Sequence, residues 1–269
     1  MPVILGGNTG IYLASLAPSI DPDAQAFITA ASITDPTQQS AINQLVVDLK
    51  ADSLWTKMKA VYPFVGGTAS THKFNLKDPR DLDAAFRLVF SGGWTHSSNG
   101  ALPNGTNGYA DTKLVPSTTL SVNSKHLSIY SRTNTATGTD CSSNTGTSTP
   151  YDNLTIRNTI FFPNEIVFSF NEAYPDSRGT NLDSRGFYIS TRTASNAKKL
   201  YKNNSTLYTA TSVSSTQPNT AYRLGSYLNS SYANREYAFF SIGDGLTDTE
   251  AANFYTVVQA FNTTLARQV

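Results

Sequence analysis

Three acidic residues, Asp244, Asp248 and Glu250, crowd the stretch "DGLTDTEAANFYTVVQAF". Glycoside hydrolysis needs two carboxylates about 5–9.5 Å apart across a cleft, so clustered acids are the first chemistry to weigh. Thr247 and Glu250, however, form a T-x-x-E capping box, and Asp248 and Glu250 fall where a helix dipole favours negative charge. They read as helix capping. The other glutamates are Glu165, Glu172 and Glu236, and no E-x-D-x-E run places two carboxylates on one strand face. Glu165 and Glu172 flank "IVFSFN" at an odd spacing, which points them to opposite faces of a regular strand. No residue is assigned a catalytic role.

His72, His96 and His126 are the only histidines, and none has a histidine two or four positions away. Zinc sites show tighter ligand spacing, so hydrogen-bonded or surface roles are expected and no metal ligand is assigned. Asp140, Asp152, Asp183 and Asp244 could ligate calcium. No twelve-residue loop with alternating oxygens is present, and turn formation is the plainer role for them. "GGNTG" lacks the Lys-Ser/Thr end of a phosphate loop, and there is no Gly-x-Ser-x-Gly. No cofactor is expected.

The most suggestive loop is "SGGWTHSSNGALPNGTNGYADT". Trp94 and Tyr109 could stack on a sugar face while His96, Asn99, Asn104, Asn107 and Asp111 bond its hydroxyls, since ligand sites combine apolar walls with a few convergent polar groups. The competing reading is a glycine-permitted surface excursion with Trp94 tucked into the core.

Only 14% of the 269 residues are charged and the net charge is +1, which argues against a phosphate-binding stripe and so against a nucleic-acid partner. The 14 Phe and 14 Tyr supply a core. The single cysteine, Cys141, excludes an internal disulfide, and its setting "GTDCSSNTG" reads as a loop with no basic neighbour to activate a thiol. A chain without disulfides suits assembly in a reducing cytoplasm. The opening "MPVILGGNTGIYLASLAPSI" lacks a basic n-region and reads as a poor signal peptide. No apolar run is long enough to span a bilayer, and no membrane insertion is expected.

The elements that must position these residues differ along the chain. In "TDPTQQSAINQLVVDLK", Asp35 is an N-cap, Pro36 suits the first helical position, and Ala41, Ile42, Leu45, Val46 and Leu49 share a face. A second short helix is expected in "SLWTKMKAVY", stopped by Pro63, with "FVGGTAS" as a flexible joint. From Thr71 the period becomes two. "HKFNL", "AFRLVF", "LSVNSKHLSIYSR", "EIVFSFN", "GFYISTRT", "STLYTATS", "YRLGSYLN" and "REYAFFSIG" read as short strands, and "NTATGTDCSSNTGTSTPYDN" as a long polar loop. Such spacing means a sandwich or barrel. The closing helix carries Ala251, Phe254, Tyr255, Val258, Phe261 and Leu265 on one face, which predicts docking on the strands.

From Gly186 onward, "GFYISTRT", "KKLYKNNSTLYTATS" and "YRLGSYLNSSYANREYAFFSIGDGLTDTEAANFY" resemble the closing strands of laminin-G or concanavalin-A-like jelly rolls. The Leu246-Thr247-Asp248-Thr249-Glu250 helix start is part of that likeness. "INQLVVDLKADSLWTKMKAVYPFVGGTASTHKFNLKDPRDLDAAF" and "FSGGWTHSSNGALPNGTNGYADTKL" resemble structural proteins of tailed bacteriophages.

Together these imply a mainly β, antiparallel jelly-roll sandwich at 64–269, ending in the amphipathic helix and preceded by an N-terminal arm and helical segment at 1–63. The function implied is a non-enzymatic virion structural protein, assembled in the host cytoplasm and displayed as capsid decoration or as part of a fibre or tail. Its partners would be other virion proteins and copies of itself. The alternative is a carbohydrate-binding adhesin for a host-surface glycan, and a jelly-roll glycosidase is third.

Overall fold

A computed structural model describes residues 19–144, 151–159, 162–172 and 178–269. The opening stretch, which reads as a poor signal peptide, and the start of the N-terminal arm lie outside the described residues.

The first elements among the described residues are helices α1 (Pro22–Ala30) and α2 (Pro36–Ala51). Each has proline in its first turn and an aspartate N-cap: Asp21 accepts from the Asp23 amide and Asp35 from the Gln38 amide. Next come β1 (Met58–Tyr62), the short helix α3 (Ala69–His72), β2 (Val89–Ser91), β3 (Trp94–Ser97), β4 (Gly100–Pro103) and β5 (Tyr109–Asp111). The turn α4 (Pro116–Thr119) precedes β6 (Lys125–Ser131), β7 (Cys141–Ser143), β8 (Tyr151–Asn158), β9 (Glu165–Glu172) and β10 (Arg178–Thr180). The chain finishes with β11 (Gly186–Ala194), β12 (Ala197–Lys202), β13 (Ser205–Ala210), β14 (Arg223–Leu224), β15 (Tyr237–Gly243) and helix α5 (Asp248–Thr264).

These strands form two antiparallel sheets. The first runs β13-β12-β11-β6-β15-β4-β3, with β1 also paired to β15. The second runs β10-β9-β8-β7-β14-β5-β2. Between them lies one apolar cluster that includes Tyr62, Leu127, Ile129, Phe168, Phe170, Tyr222 and Phe240. A second cluster covers the other face of the first sheet. There Phe187, Ile189 and Phe239 meet Phe254, Val258 and Phe261 of α5, together with Ile42, Leu45 and Leu49 of α2. Burying each large apolar side chain is worth roughly 1.5–3 kcal/mol, so both faces of the first sheet contribute to the core. The architecture is mainly β, a sandwich of two antiparallel sheets with a helical layer on one side.

The structure corrects several local expectations. "SLWTKMKAVY" is not a helix: Trp55–Lys57 form one 3₁₀ turn and Met58–Tyr62 are strand β1. Both faces of β1 are covered, Val61 joining the helical cluster and Ala60 and Tyr62 the inter-sheet one, so Ala60, Val61 and Tyr62 in succession carry no period-two signal. "HKFNL" is the end of α3 followed by a turn.

The expected polar loop around Cys141 contains β7 and the start of β8. Cys141 is fully buried in a strand. The Ser142 and Ser143 hydroxyls donate to the carbonyls of Ser226 at 2.8 Å and Thr220 at 2.6 Å, which lets so polar a segment enter a sheet. Asp140 and Asp152, expected in turns, are fully buried, and Asp140 accepts from Arg235 Nη1 at 2.7 Å and Tyr237 Oη at 2.8 Å.

The Gly66–Gly67 segment is tied down at several points. The Gly66 amide donates to Gln38 Oε1 at 2.8 Å. Beyond α5, the buried Arg267 guanidinium donates to the carbonyls of Pro63 at 2.6 Å, Phe64 at 2.9 Å and Ala238 at 2.8 Å.

Candidate functional site

Trp94 opens β3 at one edge of the first sheet, and Tyr109 opens β5 in the second. The indole Nε1 donates to the carbonyls of Ser91 and Tyr109, each at 3.2 Å. Phe90 meets the indole edge-on at 5.1 Å between centroids, and His96 stacks on it at 6.0 Å. Trp94 is therefore a half-buried wedge joining the margins of the two sheets.

Most of the polar residues expected beside it are committed to the backbone. Asn104 Oδ1 accepts from the amides of Thr106, Asn107 and Gly108 at 3.0–3.1 Å, and its Nδ2 donates to Asn107 Oδ1 at 2.8 Å. Asn107 Oδ1 also accepts from the Gly93 amide at 3.0 Å. Gly92 has φ +70°, and a Cβ there would lie 2.1 Å from the Asn107 carbonyl oxygen, so only glycine closes this turn. His96 faces His72 at 2.9 Å between Nδ1 atoms, and Asn99 is exposed in the β3–β4 turn. Asp111 Oδ1 accepts from the Lys113 amide at 2.8 Å. Of the seven, Asp111 lines a hollow of about 280 Å³ shared with Ser142, Asn144, Thr220 and Arg223. The Arg223 guanidinium lies over the Tyr109 ring at 4.7 Å.

A Ser–His contact on β6 and β15 is buried. His126 Nδ1 bonds the Asp244 carbonyl at 2.7 Å, its Nε2 lies 3.1 Å from Ser241 Oγ, and Ser241 Oγ is 2.6 Å from Ser128 Oγ. His126, Ser128 and Ser241 are fully out of solvent, which suits a structural network. Glu165 and Glu172, at the two ends of β9, are paired with Arg178 and Arg192, each at 2.6 Å.

The larger cleft, about 510 Å³, lies where α5 begins and leaves the outer edge of the first sheet uncovered. Alternation sets its wall: Thr191 and Thr193 of β11, Lys199 and Tyr201 of β12, and Thr209 of β13 with Thr211 beyond it line the same hollow. Opposite stand Thr247, Asp248 and Thr249 at the start of α5. Thr247 caps that helix, its Oγ1 accepting from the Glu250 amide while its own amide donates to Glu250 Oε2 at 2.8 Å.

Asp248 has a further task. It accepts from Lys199 Nζ and Tyr201 Oη, each at 2.7 Å, and its side chain stays 69% exposed. The Lys199 bond, then the Tyr201 bond, hold its carboxyl below the usual value. Burial, and then the neighbouring carboxylate, raise the Tyr201 phenol above its own. The result is a fixed anion beside an ammonium in a wall of hydroxyls, a set of donors and acceptors suited to a polyhydroxylated ligand.

None of this wall was read from the sequence. Its only trace there is the threonine alternation in "STRTASNAKKLY" and "TLYTATS". Among the described residues no group of three or more His, Cys, Asp or Glu could hold a metal ion, and no helix is long and apolar enough to cross a membrane.

No family model matches the sequence, and no curated protein matches it. Solved structures do match the fold. Domain 4 of an extracellular arabinanase from Geobacillus stearothermophilus, solved with arabinotriose, superposes with a TM-score of 0.52 at 14% identity, over 74% of this chain and 98% of that one. The fold it shares with this chain is the jelly-roll sandwich of two antiparallel sheets. The receptor-binding domain of the botulinum neurotoxin C/D mosaic gives 0.54 at 10% identity over 75% of this chain. The binding domain of botulinum neurotoxin DC, solved with rat synaptotagmin II, gives 0.51 at 12% over 76%. This chain spans about half the length of those two toxin domains.

Proposed function

We propose that this chain is a non-catalytic recognition module whose ligand is a surface glycan, held in the cleft between β11–β13 and the start of α5. The observation that carries the reading is the exposed Asp248 carboxylate, fixed by Lys199 and Tyr201 among the threonine hydroxyls. The fold neighbours support it as a class, since one was solved with arabinotriose and another with rat synaptotagmin II. Tyr201 is 6% exposed, so it offers no open ring face for stacking, and recognition rests on hydrogen bonds.

The setting we infer rests on resemblance alone: the surface of a tailed-phage particle, as capsid decoration or a fibre or tail component, where the task is to hold a host glycan. Titration of the purified protein with host-surface polysaccharides tests the site. Saturable binding is expected, and Asp248→Ala or Lys199→Ala should abolish it while the melting temperature changes little, because exposed ion pairs contribute little stability. Binding that survives both substitutions would move the site elsewhere. Absence of binding to any polysaccharide tried would remove the adhesin reading.

A further inference from the structure

Lys125, Asp152 and Asn171 converge in the apolar space between the sheets. They come from three strands, β6 of the first sheet and β8 and β9 of the second. All three are 0% exposed. Lys125 Nζ lies 2.5 Å from Asn171 Oδ1 and 2.9 Å from Asp152 Oδ2, and the Phe170 ring centroid is 5.7 Å from it. The amide carbon is one C=O bond of ~1.2 Å beyond that oxygen, which puts it no more than about 3.7 Å from the amine. A productive near-attack contact is ~3–3.5 Å.

The strands are shaped to make this meeting. The β8–β9 register shifts between Tyr151 and Asn153, and Asn171 adopts a left-handed φ of +60°. By simple alternation after Phe168 and Phe170, which fill the inter-sheet core, Asn171 would point the other way. The bulge turns its side chain inward, as bulges beside reactive sites do. Asp152 is held as well, accepting from the Asn171 amide through Oδ1 at 2.8 Å and from the Tyr222 hydroxyl through Oδ2.

We propose that Lys125 and Asn171 join in an intramolecular isopeptide bond, with Asp152 as the proton carrier of the reaction. In the buried ion pair, Lys125 passes a proton to Asp152 and becomes a neutral amine. The Nζ lone pair attacks Asn171 Cγ and forms the new C–N bond, with negative charge developing on Oδ1. A proton leaves Nζ and one reaches Nδ2 by way of Asp152. The Cγ–Nδ2 bond then breaks, and ammonia departs. One amine and one primary amide become one secondary amide and one ammonia, with no oxidant or reductant needed.

Three features favour the step. Burial first, and the Arg192 charge next, lower the Lys125 pKa against the pull of Asp152, which favours the nucleophilic amine. Asn171 Nδ2, the leaving nitrogen, donates to the Val122 carbonyl at 2.7 Å, on the half-buried turn before β6. The product also removes a buried ammonium, whose desolvation makes interior ion pairs poor stabilisers. The bond would close a loop across 46 sequence positions and tie the two sheets together in a chain whose single cysteine allows no disulfide.

The competing account is a buried ion pair with the Asn171 amide as an ordinary hydrogen-bond partner. Intact-mass measurement of the full chain, purified and then denatured, separates the two. The expected mass is lower than that of the sequence by one ammonia, with a tryptic species in which the Lys125 and Asn171 peptides are joined. Lys125→Arg and Asn171→Ala should restore the full mass, and Asp152→Asn should leave the chain unlinked. A folded parent protein that keeps its full mass after prolonged incubation at neutral pH overturns the proposal, whether or not any variant folds. A mass deficit without the joined peptide also overturns it. Linkage of Asp152→Asn at the parent's rate would overturn the role given to Asp152.

Discussion

His72 and His96 face each other through their Nδ1 atoms at 2.9 Å, so one ring donates a proton there and the other must be neutral to accept it. Burial first, then His96 and Arg267, hold the His72 pKa at about 3 against the usual 6.5. Burial likewise holds His126 at about 4, although the Asp244 carbonyl opposes it. Below about pH 6.5 the unfolded chain therefore takes up protons that the folded chain refuses, and stability falls as the pH is lowered towards these values. Each ring contributes up to ~1.4 kcal/mol per pH unit. The urea midpoint should drop between pH 6.5 and pH 4, and His72→Phe should make the drop shallower. A midpoint independent of pH in that window would contradict the buried neutral rings.

Phe254 is fully buried, with ring contacts to Phe187 at 5.3 Å, Phe239 at 5.9 Å and His126 at 5.9 Å. Phe254→Ala should cost roughly 3–5 kcal/mol, as buried Phe truncations do. Chemical denaturation reads this directly. A mutant as stable as its parent would mean that α5 is not docked.

Trp94 bridges the sheet margins through two hydrogen bonds and two ring contacts. Trp94→Ala should lower stability by about 3 kcal/mol while leaving glycan titration unchanged. Loss of binding at unchanged stability would instead restore the Trp94 loop as the ligand site.

Helices α1 and α2 share an apolar cluster with α5, and β1 pairs with β15 over Met58–Tyr62. Removing residues 1–63 should therefore yield an insoluble chain or one without a cooperative melt, because it strips α1 and α2 from the apolar cluster they share with α5 and leaves β15 without its β1 partner. A soluble, β-rich remainder with the parent's melting temperature would show that segment to be a separable arm.

The strands β6, β9, β11 and β15 were visible in the sequence because their aromatic and branched residues recur between clear turn signals. β7 and β8 were not, because their Ser, Asn and Asp residues are acceptable in a sheet only through partners far along the chain, such as Thr220, Ser226 and Lys125. The same distance hid the larger cleft. Lys199 and Tyr201 meet Asp248 from 49 and 47 positions away, and no local pattern announces that meeting. The loop around Trp94 drew attention through its composition, but Asn104 and Asn107 fold it upon itself. Amides in a glycine-rich loop serve turns as readily as ligands, and sequence cannot separate the two uses.

Strand β15 lies inside the first sheet, paired with β6, β4 and β1, yet it follows all three in the chain. On the ribosome, β1 and β4 must wait for it, and the face that receives α5 has no centre until residues 237–243 have emerged. Contacts between strands so far apart in sequence are slow to form and leave apolar strands uncovered meanwhile. Closure of the main sheet is thereby deferred until β15 has emerged, and yield in the cell becomes a contest between its arrival and capture by chaperones.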